Sequence, residues 1–197
     1  MMKPFLLPKR FVQRPEAIFC HLSTMRMSLR AKRRLRWRSK RSWAACRIII
    51  LPVGGGGLSA GTRSYFSKAV EYTFVEPQGA TSLAEALKTG APVDVSPINS
   101  FVDGAAVAKI GHRTFARLAD ANVADVLSIP EDRICTTIVE MLNVEGLVLE
   151  PAGALAVDAL KDIPEHIAGQ TVVCVTSGGN FDFERLPEVK ERAQRYS

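Results

Sequence analysis

R-I-I-I-L-P-V-G-G-G-G-L, residues 47–58, decides the fold. Arg47–Val53 is a short, unbroken apolar run rich in isoleucine, the pattern of a parallel strand buried on both faces. Four glycines follow, Gly54, Gly55, Gly56 and Gly57, and the chain from Leu58 to Ala69 then reads as a helix. Glycines let a backbone turn with positive φ and approach a ligand closely. Between a strand and a helix, several N–H groups then face one concavity beside the positive end of the helix dipole. That is a cradle for an anion such as a phosphate. It is not the G-x-x-x-x-G-K-[ST] loop, because no lysine follows, so nucleoside triphosphate hydrolysis is disfavoured. It is not the G-x-G-x-x-G dinucleotide turn either, since the four glycines are contiguous. The plain alternative is a flexible loop that holds no ligand.

Strands and helices alternate downstream. Tyr72–Val75 reads as a second strand, closed by Glu76-Pro77-Gln78-Gly79. Thr81 is placed to cap a helix through Leu87, with Glu85 in its first turns, and Gly90-Ala91-Pro92 ends it. Residues 91–103 are irregular, and helices are expected over Gly104–Ile110 and Thr114–Asp120. Val123–Ile129 reads as a strand. Ser128, Pro130 and Glu131 mark a helix start, with Ile134, Ile138 and Leu142 on one apolar face. Leu147–Leu149 reads as a short strand, Pro151 to about Lys161 as an Ala-rich helix, Thr171–Thr176 as a last buried strand and Glu184–Gln194 as a charged helix. The alternation predicts an α/β domain, a layered parallel sheet with flanking helices. Its last strand runs into V-T-S-G-G-N, Val175–Asn180. In open α/β sheets ligands bind at the carboxyl ends of strands, so both glycine loops are expected to line one crevice. For Ser177 taken alone, a turn or cap serine is an equal alternative.

Composition divides the chain. The whole is 47% hydrophobic and 23% charged, as in ordinary globular proteins, and no run approaches the roughly 20 apolar residues of a membrane span. Four cysteines in no C-x-x-C pair, with three scattered histidines, argue against a disulfide scaffold or a metal site and fit a reducing, cytoplasmic setting. The net charge of +6 hides an asymmetry: residues 1–47 hold 14 Lys and Arg against one acid, Glu16, whereas residues 48–197 hold 12 against 19. The boundary is drawn there, with 1–47 a basic, disordered or out-of-frame segment and 48–197 a partial catalytic domain. An arginine-rich arm is also compatible with nucleic-acid binding through residues 26–41, or with a targeting peptide.

Five motifs resemble the pyridoxal-phosphate-dependent threonine dehydratases (threonine ammonia-lyases). They are P-V-G-G-G-G-L (Pro52–Leu58), V-E-P-Q-G-A (Val75–Ala80), F-V-D-G-A-A-V (Phe101–Val107), E-P-A-G-A-L (Glu150–Leu155) and S-G-G-N (Ser177–Asn180). They keep the family's order and spacing over about residues 48–197, closest to the biosynthetic type that makes 2-oxobutanoate for isoleucine. Serine dehydratase, serine racemase and the tryptophan synthase β chain are related, and part of their fold is implied here. By resemblance, Gly54, Gly55, Gly56, Gly57 and Leu58 hold the phosphate of pyridoxal 5'-phosphate through backbone N–H groups, and Ser177 faces its pyridine nitrogen. A serine hydroxyl cannot protonate the ring as a carboxylic acid would. The ring is then a weaker electron sink, which suits β-elimination. Asp103-Gly104 and Glu150-Pro151 fall near the cofactor by resemblance; Asp103 as a turn residue and Glu150 as a helix cap or surface acid are the alternatives. Some relatives bind a divalent cation at positions matching Glu76, the Ala80 carbonyl and Ser82. A serine there is no metal-binding acid, so no metal is carried over.

The family's Schiff-base lysine, in an S-x-K-x-R-G-like stretch well before the glycine loop, has no counterpart. None of Lys3, Lys9, Lys32, Lys40, Lys68, Lys88, Lys109, Lys161 or Lys190 has that context. No catalytic residue is therefore assigned, and the substrate-carboxylate loop and regulatory domain of relatives are unmatched. The expectation is a threonine ammonia-lyase by descent, truncated and inactive alone, taking an amino-acid substrate (L-threonine or L-serine) in the intact family. Relatives are homo-oligomers, and no nucleic-acid or membrane partner is implied. A phosphate-binding fragment without catalysis is the runner-up, ahead of the nucleic-acid arm. The basic segment is expected to be an out-of-frame reading: shifted by one base, codons compatible with Ser28–Ser39 (SLRAKRRLRWRS) permit I-A-G-Q-A-T-V-A-V-E-I, eleven successive positions. Relatives carry an A-G-Q-G-T-x-x-x-E-like stretch shortly before their glycine loop.

Overall fold

The computed structural model describes residues 46–66 and 70–196, and 17–21 as backbone only. Its elements are β1 (Ala17–His21), β2 (Cys46–Pro52), α1 (Gly57–Phe66), β3 (Glu71–Pro77), α2 (Ser82–Thr89), α3 (His112–Phe115), β4 (Val126–Ile129), α4 (Glu131–Glu145), α5 (Pro151–Asp158), β5 (Thr171–Thr176) and α6 (Leu186–Tyr196). The strands form one sheet in the order β1-β5-β2-β3-β4, and every neighbouring pair is parallel. This is the layered parallel α/β architecture expected from the alternation of elements.

The sheet is buried on both faces, which explains why β2 and β5 carry no polar alternation. Ile48, Ile50, Val75, Val172 and Cys174 face a layer that includes Ile134, Leu155 and Val189 from α4, α5 and α6. Their neighbours Ile49, Leu51, Phe74, Val173 and Val175 face Ala60 of α1, Leu83 of α2, Phe115 and Leu118. A helix layer on each side is what such a sheet requires. Between α4 and α5 lies one buried polar cluster. Asp158, fully buried, takes Arg133 Nε at 2.6 Å on one oxygen, and the Thr137 hydroxyl (2.5 Å) and Lys161 Nζ (3.2 Å) on the other.

Several expectations are corrected. Gly104–Ile110 is not helical: it runs as turns across the glycine loop, where Ala105 and Ala106 both donate to the Val102 carbonyl at 2.8 and 2.7 Å. Leu147–Leu149 is not a strand. It leaves α4 through Gly146 (φ 64°), whose N–H and that of Leu147 both reach the Met141 carbonyl, and it finds no sheet edge to pair with. The expected helix over Thr114–Asp120 shortens to α3 and turns, and the expected strand from Val123 begins with a 3₁₀ turn over Val123–Asp125. Thr81 holds the N-cap position of α2, but its side chain makes no cap bond. On α4, Met141 is buried where Leu142 was expected. β1 is an addition, pairing Ala17–His21 with Val172–Thr176. The readings of residues 1–47 otherwise fall outside the described residues, apart from Cys46 and Arg47 at the start of β2.

Candidate functional site

β2 and β5 are neighbours in the register Ile50↔Cys174. The loops that follow Pro52 and Thr176 therefore leave the same edge of the sheet on strands about 4.8 Å apart. The two glycine loops thus start side by side at the carboxyl ends of neighbouring parallel strands.

The first loop is held open by its neighbours. The Ser59 hydroxyl donates to the Pro52 carbonyl (3.3 Å), tying the first turn of α1 to the end of β2. Gly54 lies so close to the 104–105 segment that a Cβ there would sit 3.0 Å from Ala105 Cα and 3.1 Å from the Gly104 oxygen. Gly56 has φ +77° and a Cβ would meet Ile110 at 2.8 Å, so conformation and space both select glycine. The Gly55 carbonyl accepts from the Thr114 hydroxyl at 2.9 Å. A trans peptide points its N–H opposite to its C=O, so this bond turns the Gly56 amide away from Thr114. No group among the described residues accepts from the amides of Gly54, Gly55, Gly56, Gly57 or Leu58. A Cβ on Gly55 would meet nothing within 4 Å. Free amides at the positive end of α1, over open space, fit a phosphate.

The second loop is built around Glu150. Its carboxylate Oε2 accepts from the Asn180 N–H (3.2 Å), and its own N–H donates to the Gly178 carbonyl (3.3 Å). A Cβ at Gly178 would lie 1.8 Å from Glu150 Oε1, and one at Gly153 would lie 2.4 Å from the Gly178 oxygen. Gly104 faces the same carboxylate, with a Cβ there 3.4 Å from Oε1. Gly104 and Gly178 thus make a slot for one acid, Gly153 lets α5 approach the Gly178 backbone, and together they join the segments at 104, 150–153 and 178. Burial pushes the Glu150 carboxyl above the usual carboxylate range, against the pull of the Asn180 amide; Asp103 pushes it the same way as burial. Glu150 holds the N-cap position of α5 without capping it. Asp103 is an exposed turn residue whose Oδ1 accepts from Gly104 N–H at 2.9 Å. Ser177, half-buried, is the first residue beyond β5, and no described residue hydrogen-bonds to its hydroxyl.

Sequence reasoning missed Glu76 as the cap of α2. Fully buried, it accepts from Leu83 N–H (2.7 Å) and the Ser82 hydroxyl (3.4 Å) on Oε1, and from Ala84 N–H (3.0 Å) on Oε2. Burial pushes it up to about 7 despite those donors. The V-E-P-Q-G-A motif marked the position without revealing this use. Among the described residues no group of three His, Cys, Asp or Glu is placed for a metal ion. Four lysines are described. Lys88 pairs with Glu85 and Lys161 with Asp158, while Lys109 and Lys190 are exposed. An open cavity of about 390 Å³ lies at the opposite, amino-terminal end of β3; of its charged walls, Arg63 pairs with Asp120 and His166 with Glu71.

Residues 39–178 match the family of pyridoxal-phosphate-dependent enzymes. The chain belongs to that family. Pyridoxal phosphate is the family's cofactor, as the five motifs implied. Within the family, the chain is 48% identical over 149 residues to the biosynthetic L-threonine dehydratase of Bacillus subtilis (strain 168), covering 74% of this chain and 35% of that protein. It is 45% identical over 152 residues to the enzyme of Staphylococcus aureus (strain NCTC 8325 / PS 47), covering 75% and 36%. Among solved structures it superposes on the processed form of threonine deaminase isoform 2 from Solanum lycopersicum with a TM-score of 0.70 at 31% identity, over 78% of this chain and 46% of that one. Maize serine racemase shares the fold, with a TM-score of 0.66 at 22% identity over 77% of this chain and 50% of that one. The chain thus spans about a third of the length of these curated relatives.

Proposed function

We propose that the crevice between β2 and β5 is the phosphate-and-ring half of a threonine ammonia-lyase site, and that this chain binds pyridoxal phosphate without completing the reaction alone. The convergence of the free Gly54–Leu58 amides and Ser177 on one sheet edge carries this reading. The amides of Gly54, Gly55, Gly56, Gly57 and Leu58 hold the phosphate, helped by the α1 dipole. The Ser177 hydroxyl meets the ring nitrogen with a hydrogen bond and no charge. Glu150 keeps Ser177 in place by fastening the loop behind it at Gly178 and Asn180. When bound, the cofactor supplies an electron sink that loosens the α-hydrogen of an amino acid. Removing that hydrogen needs a base, and a lysine is the family's choice by resemblance. None of the four described lysines pairs with a group of the crevice, so the lysine comes from outside the described residues. In the whole relative-length protein the substrate is L-threonine, leaving as 2-oxobutanoate and ammonia, a step in isoleucine biosynthesis.

Titration with pyridoxal phosphate, read by absorbance and equilibrium dialysis, tests this. Saturable binding is expected, with no covalent adduct on a described lysine after borohydride reduction. Gly55→Asp, which has space for its side chain but sets a negative charge in the cradle, is expected to weaken binding at least about tenfold with the fold intact. Equal affinity in wild type and Gly55→Asp would defeat the proposal. The out-of-frame reading of Ser28–Ser39 belongs to the same proposal, supported by a family match that starts at residue 39, where that stretch ends.

A further inference from the structure

Phe101 connects the carboxyl-terminal helix to the crevice. Its ring is 5% exposed and lies under two guanidinium groups, Arg192 at 4.1 Å and Arg185 at 4.9 Å from the centroid. Arg185 also donates to the Phe101 carbonyl at 2.9 Å. Arg192 is itself fixed, with Nε 2.9 Å from Glu188 on α6 and Nη1 2.9 Å from Asp132 on α4. On the other side, Phe101 leads directly into the turn where Ala105 and Ala106 donate to the Val102 carbonyl. Ala105 is the residue against which Gly54 packs. A chain of direct contacts therefore runs from α6 through Phe101 to the first glycine of the cradle.

We infer that Arg185 and Arg192 are positioning residues: their guanidinium groups latch the 101–106 turn through Phe101 and so set how closely that turn presses on Gly54. Two guanidinium groups, themselves partly buried, over one buried aromatic ring give this contact more strength than a fully exposed pair would have. The turn has no regular secondary structure of its own, so its rigidity comes from its contacts, those at Phe101 beside the buried Val102 and the approach of Gly104 to Ala152. The inference rests on the cofactor reading only for its consequence, a looser cradle. The latch itself is a property of the unliganded chain.

Amide hydrogen exchange on the full chain without cofactor separates the two. In the Arg185→Gln, Arg192→Gln double variant, the Ala105 and Ala106 amides are expected to exchange about tenfold faster, while those of β2 and β5 keep their protection. Arg192→Lys, which keeps a cation in place, is expected to restore most of the protection. Asp132→Asn cuts the ion pair to α4 and leaves both guanidinium groups; it is expected to leave the two amides unchanged. Should the double variant not fold, Phe101→Leu removes the aromatic face while keeping an apolar side chain, and the same two amides are read. Unchanged exchange at Ala105 and Ala106 in these variants overturns the latch, as does an Asp132→Asn effect as large as theirs, since that reports helix docking alone. Pyridoxal phosphate affinity is measured beside it. A wild-type chain that binds none defeats the cofactor proposal and leaves the exchange result to decide the latch.

Discussion

Gly178 lies outside the left-handed region, so its need for glycine is one of space alone. Gly178→Ala would drive its methyl into the Glu150 carboxylate, and overpacking of this kind costs about 1–3 kcal/mol. Most of that cost is expected to vanish in a Glu150→Ala background, because the colliding atoms belong to that one side chain; urea denaturation of the four members of the cycle measures it. If the two substitutions prove additive, the slot is not what holds Gly178. Glu76 gives a pH dependence. Its carboxyl rises from an ordinary 4.5 to about 7 on burial, so between those values the folded chain keeps a proton that the unfolded chain has lost. Stability then falls as pH rises through that window. The urea midpoint is expected to drop between pH 5 and pH 8, and more weakly in Glu76→Gln. These two acids also mark how much of the site could be read beforehand. The strand–glycine–helix turn at Gly54–Gly57 and the turn at Ser177 beyond the last strand were legible because both are local properties of the chain. The partner of Glu150 lies 28 residues away at Gly178, and nothing in the local pattern points to it.

The elements divide in the same way. β2 and β5 were legible because burial on both faces leaves an unbroken apolar run, which needs no knowledge of the neighbours. α4 was legible from its start signal at Pro130-Glu131. Gly104–Ile110 and Leu147–Leu149 were misread because their alanines and leucines satisfy helix and strand patterns equally while tertiary contacts decide otherwise: the first is pressed against Gly54, the second spans from the α4 cap to the Glu150 slot. The α4–α5 pairing also depends on charge. Asp158 is fully buried between Arg133 and Lys161, and removing one member of such a cluster leaves an uncompensated charge. Asp158→Ala is expected to cost about 3–5 kcal/mol in urea denaturation. A loss below about 1 kcal/mol would place this cluster with exposed surface pairs.

For the molecule as a whole, the basic first segment and the acidic remainder remain the largest discontinuity in the sequence. The proposed frame shift makes a specific statement about the coding DNA. Restoring one base is expected to turn the codons of Leu29–Ser39 into I-A-G-Q-A-T-V-A-V-E-I, and a DNA sequence that yields anything else ends the idea. Without β1 the sheet is left with an open edge at β5, which invites association. Residues 48–197 alone are expected to be poorly soluble or of low stability, and a cooperative melt from a soluble monomer would count against that.

The strand order has a consequence for synthesis. β5 is translated after the other four described strands, yet it lies between β1 and β2. Until residues 171–176 emerge, the nascent chain carries a vacant lane beside β2, with the glycine quartet already made but its facing wall missing. Vectorial folding therefore cannot finish this crevice early. A ribosome-bound chain that ends before Thr171 should depend on chaperones, and one that extends past Asn180 clear of the exit tunnel should release them.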